Sequence, residues 1–354
     1  MLHGRPNHPK HIPKDLEDKI MFLSVVVPVY NCEKYLAECL SSFFEQDLPD
    51  TDYEVICVDD GSTDSSGAML SEWSNNHPKL RLLTQENLSV SAARNNGLAI
   101  ARGDYVWFVD SDDFMARRIL SELRSRVAEA GNPDLVQLGA YSFQDDLTPE
   151  ETVNFEAGTL PPNTFANNTF VTRNLFRRSY LIAHAVSFPT DQTYSEDKVF
   201  LAQVFAADPR TLSVELTCYY YRYHAGSTIA ASSPASKEKR MRSWYLAIKR
   251  YRPLYDSCPE RFKQLLADSM MSDLYAYLFA ASQLPMKPMK QSLELLRAEG
   301  LFPFRRLKEC TLKKSYQTSK TGIIGKIYDF LYLHGNTRLG FCFLRMYKAI
   351  ADHK

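Results

Sequence analysis

Short apolar runs alternate with segments of helical periodicity over the first two thirds of the chain. The run LSVVVPVY ends at Tyr30, and apolar side chains then recur at helical spacing up to Phe44. The runs EVICVDD, LRLLT and DYVWFVD are similarly rich in β-branched and aromatic residues, and helix-period segments separate them. This alternation is typical of βαβ units. It predicts an α/β fold whose mostly parallel sheet is flanked by helices.

The same patterns place the remaining elements. Asp64 is expected to cap the helix that follows the second strand. Further helices are predicted over about 90–101 and 117–130 and in SEDKVFLAQVF, and further strands in DLVQLGAY and in the aromatic run CYYYRYH. From about 234 to 300 the periodicity is helical throughout, and one apolar stripe predicts a core face: Phe262, Leu265, Leu266 and Met270.

Pattern and composition together divide the chain into four segments. Residues 1–20 are polar, lack the apolar run of a secretory signal and are predicted to be a disordered tail. Residues 21–230 carry the α/β pattern, 231–300 a helical extension, and 301–354 a basic amphipathic segment. No apolar stretch approaches the roughly 20 residues needed to cross a bilayer, so the chain is not expected to be an integral membrane protein.

Charge and cysteine content narrow the classes of function. The 42 Lys and Arg residues balance 42 acidic residues, so no overall attraction to nucleic acid is expected and none is predicted as a partner. The seven cysteines are odd in number, widely scattered and never in a C-x-x-C pair. This predicts reduced thiols in a cytoplasmic protein rather than disulfides or a zinc site.

Two acidic clusters stand at the ends of predicted strands, DD at 59–60 and DSDD at 110–113. Ligands of open α/β sheets bind at the carboxyl ends of the strands. Crowded carboxylates repel one another unless a cation neutralises them, and oxygen ligands suit Mn²⁺ or Mg²⁺. The second cluster therefore predicts a divalent metal. Taken alone, it is explained about equally well as an acidic turn that caps the next helix.

Polar residues between and beside these clusters suggest a ligand site. Ser91, Arg94 and Asn95 fall on one face of a predicted helix. An arginine there could hold a pyrophosphate or pair with the strand-end carboxylates, and pairing is favoured about two to one because an arginine among so many acids rarely stays unpaired. Gly61 and Ser62 allow a sharp turn and offer short polar contacts to a ribose or a base.

Several linked motifs resemble one known family. VVVPVYN at 25–31, VDDGSTD at 58–64, SAARNNGLAIARGDYVWFVDSDD at 91–113 and SED at 195–197 occur in the order and spacing of the inverting family 2 glycosyltransferases of GT-A fold. The match covers roughly residues 22–230. The chain is similar to the bacterial surface-polysaccharide members of that family, and the resemblance implies a GT-A catalytic domain over 21–230.

The resemblance also implies a role for each matching residue. Asp197 matches the catalytic base that removes the proton of the acceptor hydroxyl, although the pair at 196–197 is also explained as a plain helix N-terminus. Mn²⁺ or Mg²⁺ is expected at Asp110, Asp112 and His224, although a histidine beside a tyrosine run is more often simply packed. The donor is expected to contact the following residues: Pro28, Tyr30, Asn31, Asp59, Gly61, Ser62, Arg94, Asp110, Ser111 and Arg222.

The implied reaction is transfer of a sugar from a nucleotide-diphosphate donor, with UDP-sugars favoured, to a hydroxyl of a glycan or lipid-linked acceptor. The chain departs from the family at two positions near the expected cleft. Ser89 stands where glycine is usual, and Asn174 where lysine is frequent. Both departures leave the sugar and the acceptor open.

The C-terminal segment is strongly basic. Residues 305–354 hold eleven Lys and Arg against three acidic residues, a net charge of +8 that leaves −8 for the rest of the chain. On a helix over 337–350 the apolar side chains share one face, as in helices that bind anionic membrane surfaces. A peripheral position on the inner face of the plasma membrane is one hypothesis. Packing of this face on the catalytic domain has nearly equal weight.

Three other classes of protein compete with this interpretation. A sugar nucleotidylyltransferase would need a glycine-rich loop with arginine after the first strand, where this chain has PVYNC. A dinucleotide-dependent oxidoreductase would need G-x-G-x-x-G after a strand, and the sequence has none there. A non-catalytic nucleotide-sugar-binding module that partners another transferase is disfavoured by the intact acids. The sequence leaves open whether the chain forms a homo-oligomer.

Overall fold

Strands and helices alternate over residues 21–144 and 170–224 of this computed structural model, and helices alone follow over 234–282 and 284–298; these four ranges are the residues that the structure describes. The strands are β1 (Leu23–Val29), β2 (Tyr53–Asp59), β3 (Leu80–Thr84), β4 (Tyr105–Phe108), β5 (Phe114–Met115), β6 (Leu135–Gln144), β7 (Asn174–Arg177) and β8 (Thr211–Tyr223). The helices are α1 (Glu33–Phe44), α2 (Ser66–Asn76), α3 (Val90–Ile100), α4 (Leu120–Glu129), α5 (Arg178–Ala183), α6 (Glu196–Ala206), α7 (Pro234–Ser257), α8 (Glu260–Ser282) and α9 (Met286–Ala298). The predicted tail 1–20 and the basic segment 305–354 lie outside the described ranges.

The strands form one mixed sheet in the order β3-β2-β1-β4-β7-β6-β8-β5. Strands β1 to β4 are parallel to their neighbours within that half, and β7 runs antiparallel to both β4 and β6. Strand β8 is parallel to β6, and the short β5 is antiparallel to β8. The predicted α/β fold, an open sheet flanked by helices, is confirmed.

The central strands are apolar because both of their faces are covered. Every residue of β1, β2 and β4 is buried. Successive side chains of a strand point to opposite faces, so Val26 belongs to one hydrophobic core while Val25 and Val27 belong to the other. Helices α3, α6, α7 and α8 contribute to the first core, and α1 and α4 to the second.

The register of the strands brings the two acidic clusters to one edge of the sheet. Val29 of β1 pairs with Asp59 of β2, and Val26 of β1 pairs with Phe108 of β4. The backbone N–H of Asp60 then donates to the carbonyl of Val29 at 2.8 Å. The chain leaves β2 and β4 on either side of the end of β1, where ligands of such sheets bind.

The helical extension shares its core with the α/β part. The predicted stripe of Phe262, Leu265, Leu266 and Met270 is buried, in agreement with a core face. The rings of Phe205 on α6 and Phe262 on α8 lie 5.1 Å apart. Within the described residues no helix is both long enough and apolar enough to span a membrane.

Several details differ from the predicted elements. Helix α2 begins at Ser66 after Ser65, and the carboxylate of Asp64 accepts from the backbone N–H of Ser66 at 2.9 Å and of Glu33 at 3.1 Å. Asp64 thus ties α2 to α1 instead of occupying the N-cap position. Strand β8 begins at Thr211, well before the aromatic run. Strands β5 and β7 and helix α5 were not predicted.

Gly97 provides a stability test of the contact between α3 and β1. Alanine normally stabilises a helix interior by about 1 kcal/mol relative to glycine. A Cβ at Gly97 would lie 2.3 Å from Cγ1 of the buried Val26, so we expect Gly97→Ala to lower the free energy of unfolding by about 1–3 kcal/mol in urea denaturation. In a Val26→Ala background the same change should be neutral or stabilising. A more stable Gly97→Ala single variant would contradict the close contact.

Candidate active site

Arg94 joins the end of β4 to the start of α6. This α3 residue is only 4% exposed. Its Nη2 donates to Oδ1 of Asp110 at 2.7 Å, and its Nη1 to Oε1 of Glu196 at 3.2 Å. The guanidinium also lies over the ring of Phe188, 5.2 Å from its centre. The predicted pairing of Arg94 with strand-end carboxylates is confirmed, and Glu196 is a partner that was not predicted.

The adjacent acids Glu196 and Asp197 form the first turn of α6, directly after Ser195, which adopts a left-handed backbone conformation with φ of 60°. Burial, reinforced by the neighbouring Asp197, raises the pKa of Glu196 to about 7 against the opposing effect of Arg94. Burial also raises the pKa of Asp197. Oδ1 of Asp197 accepts from the backbone N–H of Lys198 at 2.7 Å. The pair therefore stands at a helix N-terminus, as the simpler explanation had it, and also faces Arg94.

The acidic turn after β4 uses its carboxylates in different ways. Oδ2 of Asp112 lies 2.9 Å from Nε2 of His224. Asp113 is 1% exposed and accepts hydrogen bonds from the Tyr219 hydroxyl and, at 2.7 Å, from the backbone N–H of Arg222. Asp113 is thus engaged in holding β8 to the turn. The next helix, α4, begins only at Leu120, so the turn does not directly cap it.

Arg222 of β8 connects this turn to α1. Its Nε donates to the backbone carbonyl of Asp112 at 2.9 Å, and its Nη2 donates to Oε2 of Glu38. Its guanidinium lies between aromatic rings, 4.9 Å from the centre of Tyr35 and 4.8 Å from that of Phe143. Tyr35 and Glu38 were not predicted to belong to the site, because in the sequence Tyr35 is one of the apolar positions of a predicted helix and Glu38 is one of its polar positions.

The loops after β1 and β2 are bonded to each other. Oδ1 of Asn31 accepts from the backbone N–H of Thr63 at 2.7 Å, and the backbone N–H of Asn31 donates to Oγ of Ser62 at 3.1 Å. Oδ1 of Asp59 accepts from the backbone N–H of Ser62 at 3.0 Å. Gly61 has a φ of +74°, where side chains other than glycine are strained.

Two of the predicted donor residues flank these loops. Pro28 is buried within β1, opposite Val58 of β2. Tyr30, the first residue after β1, is 47% exposed. An exposed aromatic ring at the end of a central strand offers a face on which a nucleobase can stack. The structure brings these residues to the same sheet edge as the acidic turn.

Asp60 fixes the loop that leads into α3. Its carboxylate accepts from Nε2 of Gln85 at 2.7 Å and from the backbone N–H groups of Leu88 at 2.8 Å and Ser89 at 3.1 Å. Ser89 has φ of 133° and ψ of 159°, a conformation that glycine adopts most easily. Its hydroxyl accepts from the backbone N–H of Ala92 at 3.3 Å and so caps α3.

Two other polar residues singled out in the sequence, Asn174 and Asn95, form hydrogen bonds to the backbone. Asn174 is buried in β7, opposite Gln137 of β6, and its Nδ2 donates to the carbonyl of Phe170 at 2.9 Å. Asn95 exchanges two hydrogen bonds with the backbone of Phe188, at 2.8 and 2.9 Å. Among the residues that the structure describes, none forms a hydrogen bond with the buried Oγ of Ser91.

The residues predicted to hold a metal are only partly brought together. Within the described residues, no group of three or more His, Cys, Asp or Glu side chains is arranged to hold a metal ion. Asp112 and His224 are in contact, whereas Asp110 is bonded to Arg94. A carboxylate oxygen beside an imidazole nitrogen is nevertheless a suitable donor pair for Mn²⁺ that takes its other ligands from phosphate and water. The chemistry of the donor set fits the expected cation.

Comparison with known proteins identifies the family of the domain that carries this sheet edge. The model of the family described as glycosyl transferase family 2 matches residues 24–187. That span contains β2 to β4, all of β1 except Leu23, and both acidic clusters. The chain carries a family 2 glycosyltransferase domain over these residues, and its homologues are bacterial family 2 glycosyltransferases.

Two curated relatives show how far the likeness extends. The uncharacterized glycosyltransferase EpsJ of Bacillus subtilis is 29% identical over 291 residues, which are 78% of this chain and 84% of EpsJ. The poly(ribitol-phosphate) beta-N-acetylglucosaminyltransferase TarS of Staphylococcus aureus is 29% identical over 207 residues, which are 57% of this chain but only 35% of TarS.

Solved structures share the fold. TarS residues 1–349 in complex with UDP-GlcNAc align with a TM-score of 0.65 and 21% identity, covering 89% of this chain and 92% of that one. The mannosyltransferase PcManGT of Pyrobaculum calidifontis, in complex with GDP-Man and Mn²⁺, aligns with a TM-score of 0.52 and 19% identity, covering 94% and 88%. At these identities the alignments establish a GT-A-like fold.

The raised pKa of Glu196 predicts a pH-dependent loss of stability. Since this pKa rises from 4.5 to about 7 on folding, the stabilising contribution of the protonated carboxyl is complete below pH 4.5 and is lost as the pH rises through 7. Glu196→Gln cannot lose a proton. Between pH 4.5 and 7.5 the unfolding free energy of the native protein should therefore fall relative to that of the variant, by up to about 3 kcal/mol. Parallel pH profiles in urea denaturation would exclude a raised pKa.

Proposed function

We propose that this chain is an inverting glycosyltransferase that transfers a sugar from a UDP-sugar to a hydroxyl of a glycan or lipid-linked acceptor in cell-surface polysaccharide synthesis. One observation carries the proposal: the buried Arg94 bonds both to Asp110, in the diphosphate motif, and to Glu196, beside the candidate base. The guanidinium of Arg94 thus fixes the two halves of a transfer site relative to each other.

The donor half is assigned to the edge formed by β1, β2 and β4. In this proposal Tyr30 and the bonded loops at 31 and 59–62 receive the nucleoside, and Asp110 and Ser111 receive the diphosphate. The complexes of TarS with UDP-GlcNAc and of PcManGT with GDP-Man support a nucleotide-sugar donor for a chain of this fold. Arg222, held between Tyr35 and Phe143, adds a positive charge beside the acidic turn.

Asp197 is proposed as the general base. In the reaction, the acceptor oxygen forms a bond to the anomeric carbon as the bond from that carbon to the diphosphate oxygen breaks, and the hydroxyl proton passes to the Asp197 carboxylate. Burial raises the pKa of Asp197, which strengthens it as a proton acceptor. The neighbouring Glu196 stays bonded to Arg94 and orients the turn.

A divalent cation, Mn²⁺ or Mg²⁺, is proposed at Asp112 and His224 with Asp110 nearby. When bound, such a cation neutralises negative charge that develops on the leaving diphosphate. The protein's own part is to present a carboxylate and an imidazole together and to hold that turn rigid through Asp113 and Arg222. The Mn²⁺ in PcManGT supports this assignment for a GT-A-like fold.

The proposed setting is the cytoplasm, with a peripheral position on the inner face of the plasma membrane. The +8 charge of residues 305–354 supports attraction to an anionic surface. Lipid-linked acceptors would make that position useful. The identities of the donor sugar and of the acceptor are the parts of the proposal that a substrate screen addresses first.

Asp197→Asn tests the base. A panel of UDP-sugars is screened for Mn²⁺-dependent release of UDP, with and without glycan acceptors. With the best donor, we expect the variant to lose turnover by about 10²–10⁴-fold, because the amide cannot accept the proton. Its affinity for UDP in calorimetry should stay within a few-fold. Asp256→Asn, at an exposed i, i+4 ion pair on α7, is the control and should retain activity. Undiminished turnover in Asp197→Asn would remove this residue from the mechanism.

Asp112→Asn tests the metal assignment. In calorimetry, Mn²⁺ should increase the affinity of the native protein for UDP, since Asp112 would hold the cation and the cation would supply positive charge to the diphosphate. The variant should lose this increase while keeping the affinity measured with a chelator present, which serves as the internal control. His224→Ala should reduce the same increase. A full Mn²⁺ effect in both variants would place the cation elsewhere.

A further inference from the structure

The segment that leads to Glu196 and Asp197 is bonded to the helical extension. Ser243 on α7 is 2% exposed, and its hydroxyl oxygen accepts from two successive backbone N–H groups, those of Thr193 at 3.1 Å and Tyr194 at 3.3 Å. These two amides directly precede Ser195, whose left-handed backbone costs free energy unless its surroundings hold it. The extension supplies part of that support.

A second contact from α7 reaches the beginning of the same segment. The guanidinium of Arg250 donates to both carboxylate oxygens of Asp191, at 2.6 and 2.8 Å, and to Oε1 of Gln192 at 2.5 Å. Gln192 is 4% exposed, and its Nε2 donates to the carbonyl of Tyr194 at 3.1 Å. A forked guanidinium on two adjacent side chains restricts both position and orientation.

A third contact comes from α8, beyond the two acids. Asp273 is 1% exposed, and its carboxylate accepts from Nζ of Lys198 at 3.0 Å and from the hydroxyl of the fully buried Tyr251 at 3.1 Å. The backbone N–H of Lys198 donates to Asp197. Lys198 is therefore held at one end by the extension while it contacts the candidate base at the other.

We propose that α7 and α8 form a clamp, consisting of Ser243, Arg250 and Asp273, that positions the carboxylates of residues 196–197 for catalysis. The clamp residues are positioning residues, and the proposal rests on the proposed function because it takes Asp197 as the base. Misplacing a catalytic group by about 1 Å can cost about a hundredfold in rate. The extension is thus part of the catalytic apparatus and more than a cover for the sheet.

The charges around Asp197 agree with this role. Arg94 faces it from α3, Glu196 and Lys198 flank it on α6, and Asp273 with the Tyr251 hydroxyl lies behind it from α8 and α7. Burial is the main cause of the raised pKa of Asp197; Lys198 and Arg94 oppose it, and Asp273 adds to it. Removing the charge of Asp273 should therefore move the acidic limb of the rate profile to lower pH.

Hydrogen exchange tests the clamp without reference to activity. In the full chain, Ser243→Ala removes the acceptor of two amides, so Thr193 and Tyr194 should exchange roughly tenfold faster. Ser257→Ala is the matched control: this serine lies on the same helix and bonds only within it, so exchange at 193–194 should not change. Equal protection of these amides in Ser243→Ala would overturn the proposal.

Kinetics test the catalytic consequence. In the UDP-release assay, Asp273→Asn should lower kcat about tenfold or more, leave KM for the donor within about twofold, and shift the acidic limb to lower pH. Tyr251→Phe removes a single hydrogen bond to Asp273 and should give a smaller decrease in kcat. Tyr277→Phe, a buried tyrosine on α8 that bonds to the carbonyl of Ser292, is the control and should not change kcat.

A double-mutant cycle separates positioning from general destabilisation. Lys198→Met and Asp273→Asn interrupt the same contact, so the double variant should be no slower than the slower single variant, whereas independent effects would multiply. If Asp197→Asn keeps native turnover, the proposed function fails and the exchange experiment still decides whether the clamp exists. If Asp197→Asn is inactive while Asp273→Asn and Ser243→Ala retain native kcat, the clamp alone is refuted.

Discussion

Arg94 holds a guanidinium away from water, and a charge in that position must be paired with acids at good geometry or it destabilises the fold. Its two partners come from distant parts of the chain, Asp110 at the end of β4 and Glu196 at the start of α6. The need to pair this one cation therefore fixes three elements relative to one another. Burial, reinforced by the neighbouring Asp197, outweighs the effect of Arg94 and raises the pKa of Glu196 to about 7 although this carboxyl touches an arginine.

The position of Arg94 depends in turn on how α3 is placed. Gly97 lets the helix approach Val26 of β1 more closely than any larger residue allows. Asp60 holds the preceding loop through three donors, and Ser89 begins the helix from a backbone conformation suited to glycine. A serine at that position accepts backbone strain of about 1–3 kcal/mol in exchange for a capping hydroxyl. The local sequence around 85–97 thus sets the position of α3 against β1, and with it the position of Arg94 in the site.

Much of the fold and the donor half could be predicted because their signals are local. The apolar runs of β1, β2 and β4 are continuous, and the acids follow them directly in sequence. Strand β7 has no such signal: it has four residues and includes the buried Asn174, whose side-chain amide donates to the carbonyl of Phe170, a residue that precedes the strand. Periodicity cannot reveal a polar residue whose partner lies outside its own element.

The same limit explains which site residues the sequence concealed. Glu38 and Tyr35 are ordinary helix positions in α1 until β8 brings Arg222 against them. Glu196 was visible as an acid beside Asp197, but its partner is 102 residues away in sequence. Asp113 belongs to the acidic cluster that predicted a metal but was not among the predicted ligands, and its carboxylate accepts hydrogen bonds from the Tyr219 hydroxyl and the backbone N–H of Arg222. The acids of one motif therefore have different roles, and the contacts that distinguish those roles exist only in the folded protein.

The shared core makes the helical extension and the candidate base mechanically dependent on each other. Val199 and Phe200, on the first turns of α6, belong to the same hydrophobic core as Tyr251 of α7 and Met270 of α8. Because such cores are close-packed, a shift of α8 cannot be absorbed locally and is transmitted to α6. In addition to this packing, the polar contacts of Ser243, Arg250 and Asp273 define the orientation of the segment that carries Glu196 and Asp197. The family 2 domain matched over residues 24–187 ends before Glu196, so the contacts from α7 and α8 to residues 191–198 lie largely beyond the matched domain.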